Sequence, residues 1–559
     1  MISNSFLNIS GIIQNLDASQ WVVVLCSSFL VISILVIASQ FVINKNKDSI
    51  WGHPKGLYIL FLTEMWERFS YYGMRAILVL YLIGNANIEN AGLGWTKADG
   101  VELVGWYTMF VYLASIPGGL IADKLIGQKK SVFIGGALLC FGHIILAIPE
   151  MWAFYTGLIF IVSGVGMLKP NISTMVGGLY PKNQQNKRDM GFYIFYMGIN
   201  LGAATAAFIV GYVGEQINWH WGFGLAGLGM VFGQLTYWYG QRFLSEVGNM
   251  VVSETKKSTE IEESSKTNSN IFSSIFKSVN SITGFLIMFC LGIIIWSYGN
   301  WDYGLLFIGL AFAVGIAIVV YNDGRSQIEK DRILVIFVSF LIMIVFFGSF
   351  EQASGLMNVY AKEKTDLTLG AFNIPASWFQ AVNAIFILVF ASIIGSFWVW
   401  WKNRKKESSS LFKMAIGVII MGWGFVFMSL ASNEVIIIDS WVKWEPDEIV
   451  QKSAMTWLIL AYLFHTIGEL CASPVSLSFI TKLAPERWVA FMMGAYFAAT
   501  GLGNKLAGFL GKLAFDYGDF EIFTGIAVFC TIFGLLVISI LKPLKRLTHG
   551  AEEIVANEK

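Results

Sequence analysis

The chain has 559 residues, of which 56% are hydrophobic and only 13% are charged, and its formal net charge is +1. Because a soluble domain carries about 25% charged residues, this composition excludes an ordinary soluble protein and predicts an all-α chain that crosses the membrane many times. The near-neutral charge argues against nucleic acid as a partner. The sequence has no G-x-x-x-x-G-K-[ST] phosphate loop, CxxC pair or histidine cluster, so we expect no ATPase activity, no metal and no cofactor.

The first region, 1–50, contains an apolar run at 21–43 that is long enough to cross a bilayer, and a short basic link follows it. Six further spans are predicted in the region 51–245. They lie at 57–83, 101–125, 130–149, 152–178, 190–214 and 219–243. The polar stretch 246–280 predicts a flexible cytoplasmic linker without a packed core.

Region 281–325 contains two more apolar runs, at 281–298 and 302–321. A second group of six spans is predicted in 326–545, before a cytoplasmic tail at 546–559. They lie at 331–361, 373–401, 411–431, 452–483, 487–514 and 521–541. The prediction is therefore fifteen spans: one N-terminal span, six, two inserted spans and six.

Lysine and arginine clusters predict the orientation of the spans, because short cytoplasmic loops carry most of the positive charge. Lys129, Lys187 and Lys405 each belong to a basic cluster between predicted spans. The alternate loops, such as 85–100 and 433–448, are acidic or nearly neutral. We therefore predict a cytoplasmic C-terminus and, with fifteen spans, an N-terminus outside the cell.

The most informative segment is EMWERFSYYGMR, residues 64–75, inside a predicted span. A helix turns about 100° per residue, so one face presents four polar or charged side chains within roughly 60°. They are Glu64, Arg68, Tyr71 and Arg75, with Glu67 at the edge. A charged side chain at the bilayer centre costs about 2.5–3.5 kcal/mol, so the four charged residues of this segment would cost roughly 10–14 kcal/mol if they faced lipid. The face therefore points into a bundle, as a functional site or as an ion-pair lock between two helices.

The two groups of six spans carry charges at corresponding positions. The first span of each group contains Glu64 or Glu351, and the fourth contains Lys169 or Glu469. The fifth span of each group has a cluster of glycine and asparagine. Corresponding features in two halves are typical of a transporter with a binding site near the middle of the membrane.

Several strings resemble the proton-dependent oligopeptide transporters of the major facilitator superfamily. EMWERFSYYG resembles the family's first-helix motif E-x-x-E-R-F-x-Y-Y-G, and GGLIADKLIG, residues 118–127, is similar to the superfamily's loop motif between helices two and three. Strings similar to helices four, five, seven, eight and ten are GMLKPNISTMVGGLY, GFYIFYMGINLGA, FEQASG, WFQAVN and GELCASPVSLSFITKLAP. The resemblance covers about residues 57–541 and implies the major facilitator fold, with two six-helix halves and two inserted helices as in bacterial members. The span at 21–43 lies outside the usual plan.

The resemblance implies a symporter of the cell membrane that imports di- and tripeptides with protons by alternating access. A zwitterionic peptide needs a base for its carboxylate and an acid for its amine. Arg68 and Lys169 are the available bases, and Glu469 is the acid from the opposite half. The other candidate peptide contacts are Tyr71, Tyr112, Asn200, Asn383 and Ser473.

The predicted cavity holds more acids than bases, and its net charge is −1 when every group is ionised. Its members are Glu64, Glu67, Glu351, Glu469, Arg68, Arg75 and Lys169. One proton neutralises the set, so one acid is a natural proton carrier. By resemblance, the proton-coupling group comprises Glu64, Glu67, Glu351 and the adjacent Arg68. The resemblance also implies two gating ion pairs, Arg75 with Glu351 near the outer side and Lys169 with Glu469 near the cytoplasmic side.

Two alternatives stay open. A same-superfamily transporter of another small zwitterion, an anion or a drug would share the fold, although Arg68, Lys169 and Glu469 together favour a zwitterion. A membrane-embedded hydrolase or metal enzyme would need a nucleophile–histidine arrangement or clustered ligands, which the sequence lacks, so we expect no enzyme. The expected partners are peptides, protons and the lipid bilayer, with no obligate protein partner.

Overall fold

The structure is a computed structural model in which seven segments of the chain are described. They are residues 17–181, 184–244, 247–249, 324–370, 372–438, 448–485 and 489–551. The inserted spans predicted at 281–298 and 302–321 lie outside the described residues, as does nearly all of the predicted linker.

Eight helices precede residue 250 in the described part of the chain. They are α1 (Ala18–Ile43), α2 (Lys55–Ile83), α3 (Lys97–Leu113), α4 (Ser115–Ile121), α5 (Gln128–Leu146), α6 (Met151–Gly178), α7 (Gln185–Tyr212) and α8 (Trp219–Gly240). Single π-turns follow α4 at Ala122–Ile126 and α7 at Val213–Ile217, and a 3₁₀ turn at Gln241–Phe243 follows α8. The extra helix α1 begins with a capping box, because the Asp17 carboxylate accepts from Gln20 N while the Gln20 side chain accepts from Asp17 N.

A second set of helices follows residue 323. It comprises α9 (Gln327–Phe350), α10 (Leu356–Lys364), α11 (Phe379–Asn403), α12 (Ser410–Glu434), α13 (Met455–Leu483), α14 (Val489–Tyr517), α15 (Asp519–Ser539) and α16 (Leu541–Leu547). Two 3₁₀ turns, Glu351–Ser354 and Ala376–Trp378, precede α10 and α11.

The described strands are two to four residues long and lie in the connections between helices. They are β1 (Ser49–Ile50), β2 (His53–Pro54), β3 (Thr365–Asp366), β4 (Thr368–Leu369), β5 (Phe372–Asn373), β6 (Ile436–Ile438), β7 (Glu448–Gln451) and β8 (Ser453–Ala454). The pairs β1–β2, β4–β5 and β6–β7 are antiparallel, whereas β3 pairs with β8 in parallel. In register, Ile50 faces His53 and Thr365 faces Ser453.

Ten of the described helical segments are long and apolar enough to cross a membrane. Three more helices have comparable lengths but carry more charge or glycine: α2, α8 and α14, with 29, 22 and 29 residues. Together these helices coincide with thirteen of the fifteen predicted spans. The other two predicted spans are those outside the described residues.

The predicted spans at 101–125 and 331–361 are each present, and each is formed by consecutive helices with a short break between them. α3 ends at Leu113, because Pro117 lacks the N–H that would bond to the Leu113 carbonyl. α9 ends at Phe350 and α10 starts only after Gly355, whose backbone is not helical. Glu351 therefore lies on a 3₁₀ turn between two helices, and not within a regular helix.

The described residues divide into two compact units. The larger one contains residues up to 249, then 342–475 and 494–538, and it includes every candidate site residue. The smaller one includes the beginning of α9, the end of α13 and α16. Inside the smaller unit, Arg332 Nε donates to Thr548 O at 3.1 Å, and His549 Nε2 lies 2.7 Å from Asp331 Oδ2.

Helix α2 is enclosed by protein along almost its whole length. All but three of its 29 residues are buried, and α7 and α8 pack along it. Gly202 of α7 permits a very close approach, because a Cβ there would overlap Met65 O. The charged face of α2 therefore lies inside the bundle, as the cost of exposing charges to lipid requires.

Two adjacent glycines of α4 give a test of how α4 packs against α6. A Cβ at Gly118 of α4 would overlap Gly166 O of α6, whereas a Cβ at Gly119 meets nothing within 4 Å. Gly118→Ala should therefore destabilise the protein by about 1–3 kcal/mol through overpacking. Gly119→Ala should be neutral or stabilise it by about 0.5–1 kcal/mol, since alanine favours helices. Thermal unfolding in detergent checks both, and equal midpoints for the two variants would contradict the packing.

Candidate functional site

The acids and the guanidinium of α2 form one compact group. Arg68 Nε donates to Glu64 Oε1 at 2.8 Å and lies 2.9 Å from Glu67 Oε2. All three side chains are at most 4% exposed. Glu64 Oε2 and Glu67 Oε1 have no hydrogen-bond partner among the described residues, and Glu67 Oε2 has only its ion-pair contact with Arg68. One positive charge is thus shared by two carboxylates, which leaves one negative charge uncompensated inside the group.

Arg75 and Glu351 come together from the two halves of the chain. Arg75 Nη2 donates to Glu351 Oε2, and Ser354 Oγ lies 3.4 Å from the same oxygen. Glu351 is the first residue of the 3₁₀ turn that follows α9. Both members of the pair are buried, so protonation of the carboxylate would leave a buried guanidinium without its anion.

Lys169 lies on α6 immediately before Pro170. Its Nζ is 4.0 Å from the ring centre of Tyr112 and 6.0 Å from that of Phe497, and these two rings stack at 6.4 Å. The cation is stabilised by the faces of the rings. No carboxylate in the described segments lies within 4.0 Å of it, although Glu64 and Glu67 are within electrostatic reach.

Glu469 lies on α13 and is held by neutral groups. Asn383 Nδ2 donates to Glu469 Oε2 at 2.9 Å and also to Thr466 Oγ1 at 3.0 Å. Ser473, another predicted contact, lies one turn further along α13. The amide bond orients the carboxylate without cancelling its charge, so Glu469 can still accept a cationic group.

The structure does not form the predicted ion pair between Lys169 and Glu469. Lys169 is held by aromatic rings from α3 and α14, and Glu469 by the amide of α11, as described above. The predicted pair of Arg75 and Glu351 is formed. The two predicted gates therefore differ in this conformation, one being paired and the other not.

The remaining predicted contacts have different surroundings. Asn200 is buried on α7 and donates to Tyr196 O at 3.0 Å. The Tyr71 hydroxyl is buried and has no hydrogen-bond partner in the described segments.

Sequence reasoning missed Tyr72. Its ring lies 5.7 Å from the Arg75 guanidinium and 5.4 Å from the ring of Tyr71, and it packs against small residues of α7 and α11. Arg68 and Glu469 are also within its electrostatic reach. On a helical wheel Tyr72 falls about 80° from Glu64, outside the charged face, so the wheel alone selects Tyr71.

Sequence reasoning also missed several ion pairs between the halves at the end of the bundle where α2 ends and α3 begins. The pairs are Lys97 with Glu363 (2.5 Å), Lys362 with Glu215 (2.9 Å), and Glu102 with both Lys505 (3.1 Å) and Lys512 (2.6 Å). Glu215 also accepts from Ser377 N at 2.7 Å. With Arg75 and Glu351, these contacts join the two halves at this end.

Buried acids and bases from two groups of membrane-length helices meet inside the bundle. This arrangement defines a membrane transporter, because intramembrane charges of this kind line substrate and ion pathways. The chain belongs to the POT family, whose family profile matches residues 129–521. Members of this family are transporters and not enzymes.

Individual relatives match over most of their length. The chain is 35% identical to the uncharacterized transporter YclF of Bacillus subtilis, over 90% of this chain and 97% of the relative. It is 34% identical to a di-/tripeptide transporter of Lactococcus lactis subsp. cremoris, over 90% of this chain and 98% of that one. A crystal structure of a peptide transporter POT in complex with sulfate superposes with a TM-score of 0.74 at 31% identity, covering 89% of this chain and 96% of that chain. The chain thus has the major facilitator fold of this family.

Proposed function

We propose that this protein is a proton-coupled symporter that imports di- and tripeptides across the cell membrane by alternating access. The observation that carries the proposal is the uneven charge set inside the bundle. Arg68 is shared between Glu64 and Glu67, and Glu469 has no ion-pair partner in the described part of the chain. A surplus acid provides a site for one proton, and acids and bases together suit a zwitterion. The di-/tripeptide transporters of Lactococcus lactis support the same substrate class.

The two ends of a peptide have separate partners in this proposal. The carboxylate binds Arg68 and Lys169, since the Lys169 ammonium rests on aromatic rings and is available to an anion. The ammonium binds Glu469, whose neighbour Asn383 can also bond the peptide amide. The other proposed contacts are Tyr71, Tyr72, Tyr112, Asn200 and Ser473.

Proton binding is proposed to act on the gates. The proposed orientation puts the acidic and neutral loops outside the cell and the C-terminus in the cytoplasm. In this orientation, the end of the bundle where α2 ends faces outward. The halves are joined at that end by Arg75 and Glu351, so the conformation corresponds to a closed outer gate. Protonation of Glu351 would release Arg75 and let the halves, 51–245 and 326–545, rock about the site. A pair between Lys169 and Glu469 would then belong to the opposite state.

A second candidate function is transport of another small zwitterion. A POT-family transporter at 30% identity, with a TM-score of 0.72, has been crystallised with 5-aminolevulinic acid, which carries an amine and a carboxylate. The charge set here would accept either type of molecule. Competition of each compound against a labelled dipeptide separates the two functions.

The experiment that tests the proposed function is uptake of labelled dipeptide into proteoliposomes under an inward proton gradient. We expect accumulation that a protonophore abolishes, together with acidification of the lumen, because each transported peptide carries a proton. Protein-free liposomes under the same gradient are the control. Uptake that ignores the protonophore would exclude proton coupling while leaving peptide transport possible.

A further inference from the structure

A small cavity lies beside Glu351, between α3, α14 and the 3₁₀ turn. Its volume is about 10 Å³, which is the size that holds one water molecule. Four of its lining residues have polar side chains: Thr108, Glu351, Ser354 and Asn504. The rest of the lining consists of Val101, Val104, Gly105, Gly355, Ala507 and Gly508. A water needs two to four polar partners, and this lining offers them.

Asn504 is the unexplained member of the lining. It is 1% exposed, yet neither Oδ1 nor Nδ2 has a hydrogen-bond partner in the described part of the chain. A buried polar group left unpaired costs about 1–3 kcal/mol, so two such atoms on one side chain point to a partner that is not a protein group. The Thr108 hydroxyl donates to Val104 O at 2.8 Å and keeps its lone pairs to accept.

An ion pair between the two halves involves residues that directly follow two members of the cavity wall in the chain. Lys505 follows Asn504 and lies 3.1 Å from Glu102, which follows Val101 of the cavity wall. The charged or titratable groups within electrostatic reach of Glu351 are Tyr71, Tyr72 and Arg75 of α2, Tyr112 of α3, Lys169 of α6 and Glu469 of α13. None of these groups lines the cavity, so the cavity gives separate access to the Glu351 carboxylate.

We propose that this cavity is a water site through which a proton reaches Glu351, and that Asn504 is the residue that positions the water. The inference rests on the proposed proton coupling. A hydronium at the site would transfer its proton to a carboxylate oxygen of Glu351: one O–H bond of the hydronium breaks, the carboxyl O–H bond forms, and a neutral water remains. Asn504 supplies both a donor and an acceptor, so its amide can hold the water in either orientation.

Two variants remove the site in different ways. Asn504→Leu keeps a similar volume but deletes both amide atoms, whereas Ala507→Val fills the cavity and keeps the amide. In proteoliposomes, both should slow the initial rate of proton-driven dipeptide uptake at least about tenfold. This is less than the roughly 10²- to 10⁴-fold expected for loss of a proton-transfer group itself, because Glu351 remains in both variants. Peptide-for-peptide exchange without a gradient should stay at the wild-type rate, since it requires no net proton transfer. Asn504→Ser, whose hydroxyl can still donate and accept a hydrogen bond, should keep part of the uptake.

The solvent isotope effect distinguishes proton delivery from packing. If delivery becomes rate-limiting, uptake by the two variants should slow more in D₂O than wild-type uptake does. Parallel losses of uptake and exchange would mean that Asn504 only supports packing, and unchanged uptake in both variants would equally overturn the proposal. If Asn504→Leu does not fold, Ala507→Val decides alone. Wild-type uptake that resists a protonophore would instead remove the proton-coupled function on which the inference rests.

Discussion

Replacement of Glu67 by Gln is expected to abolish proton-driven accumulation of dipeptides while peptide-for-peptide exchange continues. Arg68 Nε lies between Glu64 and Glu67, 2.8 and 2.9 Å from their nearest oxygens, so one acid of this pair is the natural site for the transported proton. Gln has nearly the same shape as a protonated Glu and cannot release a proton. The two halves should still alternate with peptide bound. The transported proton can no longer pass through this group, so the gradient cannot drive accumulation even though Glu351 can still be protonated.

The measurement uses proteoliposomes loaded with unlabelled dipeptide. Arrival of labelled dipeptide without a gradient reports exchange, and accumulation in empty vesicles under a proton gradient reports coupling. Glu67→Asp keeps a carboxylate and should retain some accumulation, which makes it the matched control. Arg68→Ala should fail in both assays, because the peptide carboxylate loses a partner. A folded Glu67→Gln protein that neither accumulates nor exchanges would mean that the group is an ion-pair lock.

The sequence was sufficient to predict the helical fold and the charged face of α2. The cost of placing Glu64, Glu67, Arg68 and Arg75 in lipid requires an interior position, and the structure encloses α2 almost completely. This inference depends only on residues close together in the chain. The family resemblance added the pairing of Arg75 with Glu351, which are 276 positions apart.

Contacts that depend on how distant helices pack were not predictable in this way. Lys362 and Glu215 are 147 positions apart, and both lie near helix ends, where any of several partners would satisfy either charge. The break at Glu351 depends on Gly355, a residue type that also occurs within regular helices. Asn504 belongs to the glycine and asparagine cluster of the fifth span in the second half, but that pattern does not reveal that its amide is buried without a hydrogen-bond partner among the described residues.

The pair of Lys169 and Glu469 shows a different limit. A sequence or a family pattern describes all states of a transporter together, whereas one conformation contains only some of their contacts. Here Arg75 and Glu351 are paired, and Lys169 instead rests on the ring of Tyr112. Alternating access requires that contacts at opposite ends form in different states, so a prediction of both pairs is compatible with the presence of one.

Replacement of Glu469 by Gln is expected to weaken binding of free dipeptides about ten- to hundredfold. A hydrogen bond to a charged group contributes about 1.5–3 kcal/mol, and each 1.4 kcal/mol corresponds to about tenfold in affinity. The Gln carbonyl can still accept from Asn383 Nδ2, which now bonds Glu469 Oε2 at 2.9 Å. The substitution therefore removes the charge and preserves the local geometry.

An N-acetylated dipeptide isolates the role of this charge, because it lacks the ammonium. Its affinity, measured by competition or calorimetry on the purified protein, should be nearly the same for wild type and Glu469→Gln. Thr466→Val is the matched control: it removes the second acceptor of Asn383, at 3.0 Å, without changing a charge, so it should affect both peptides slightly and equally. If Glu469→Gln weakened the acetylated and free peptides to the same extent, Glu469 would act by holding Asn383 and α13 in place, and the peptide amine would require a different partner.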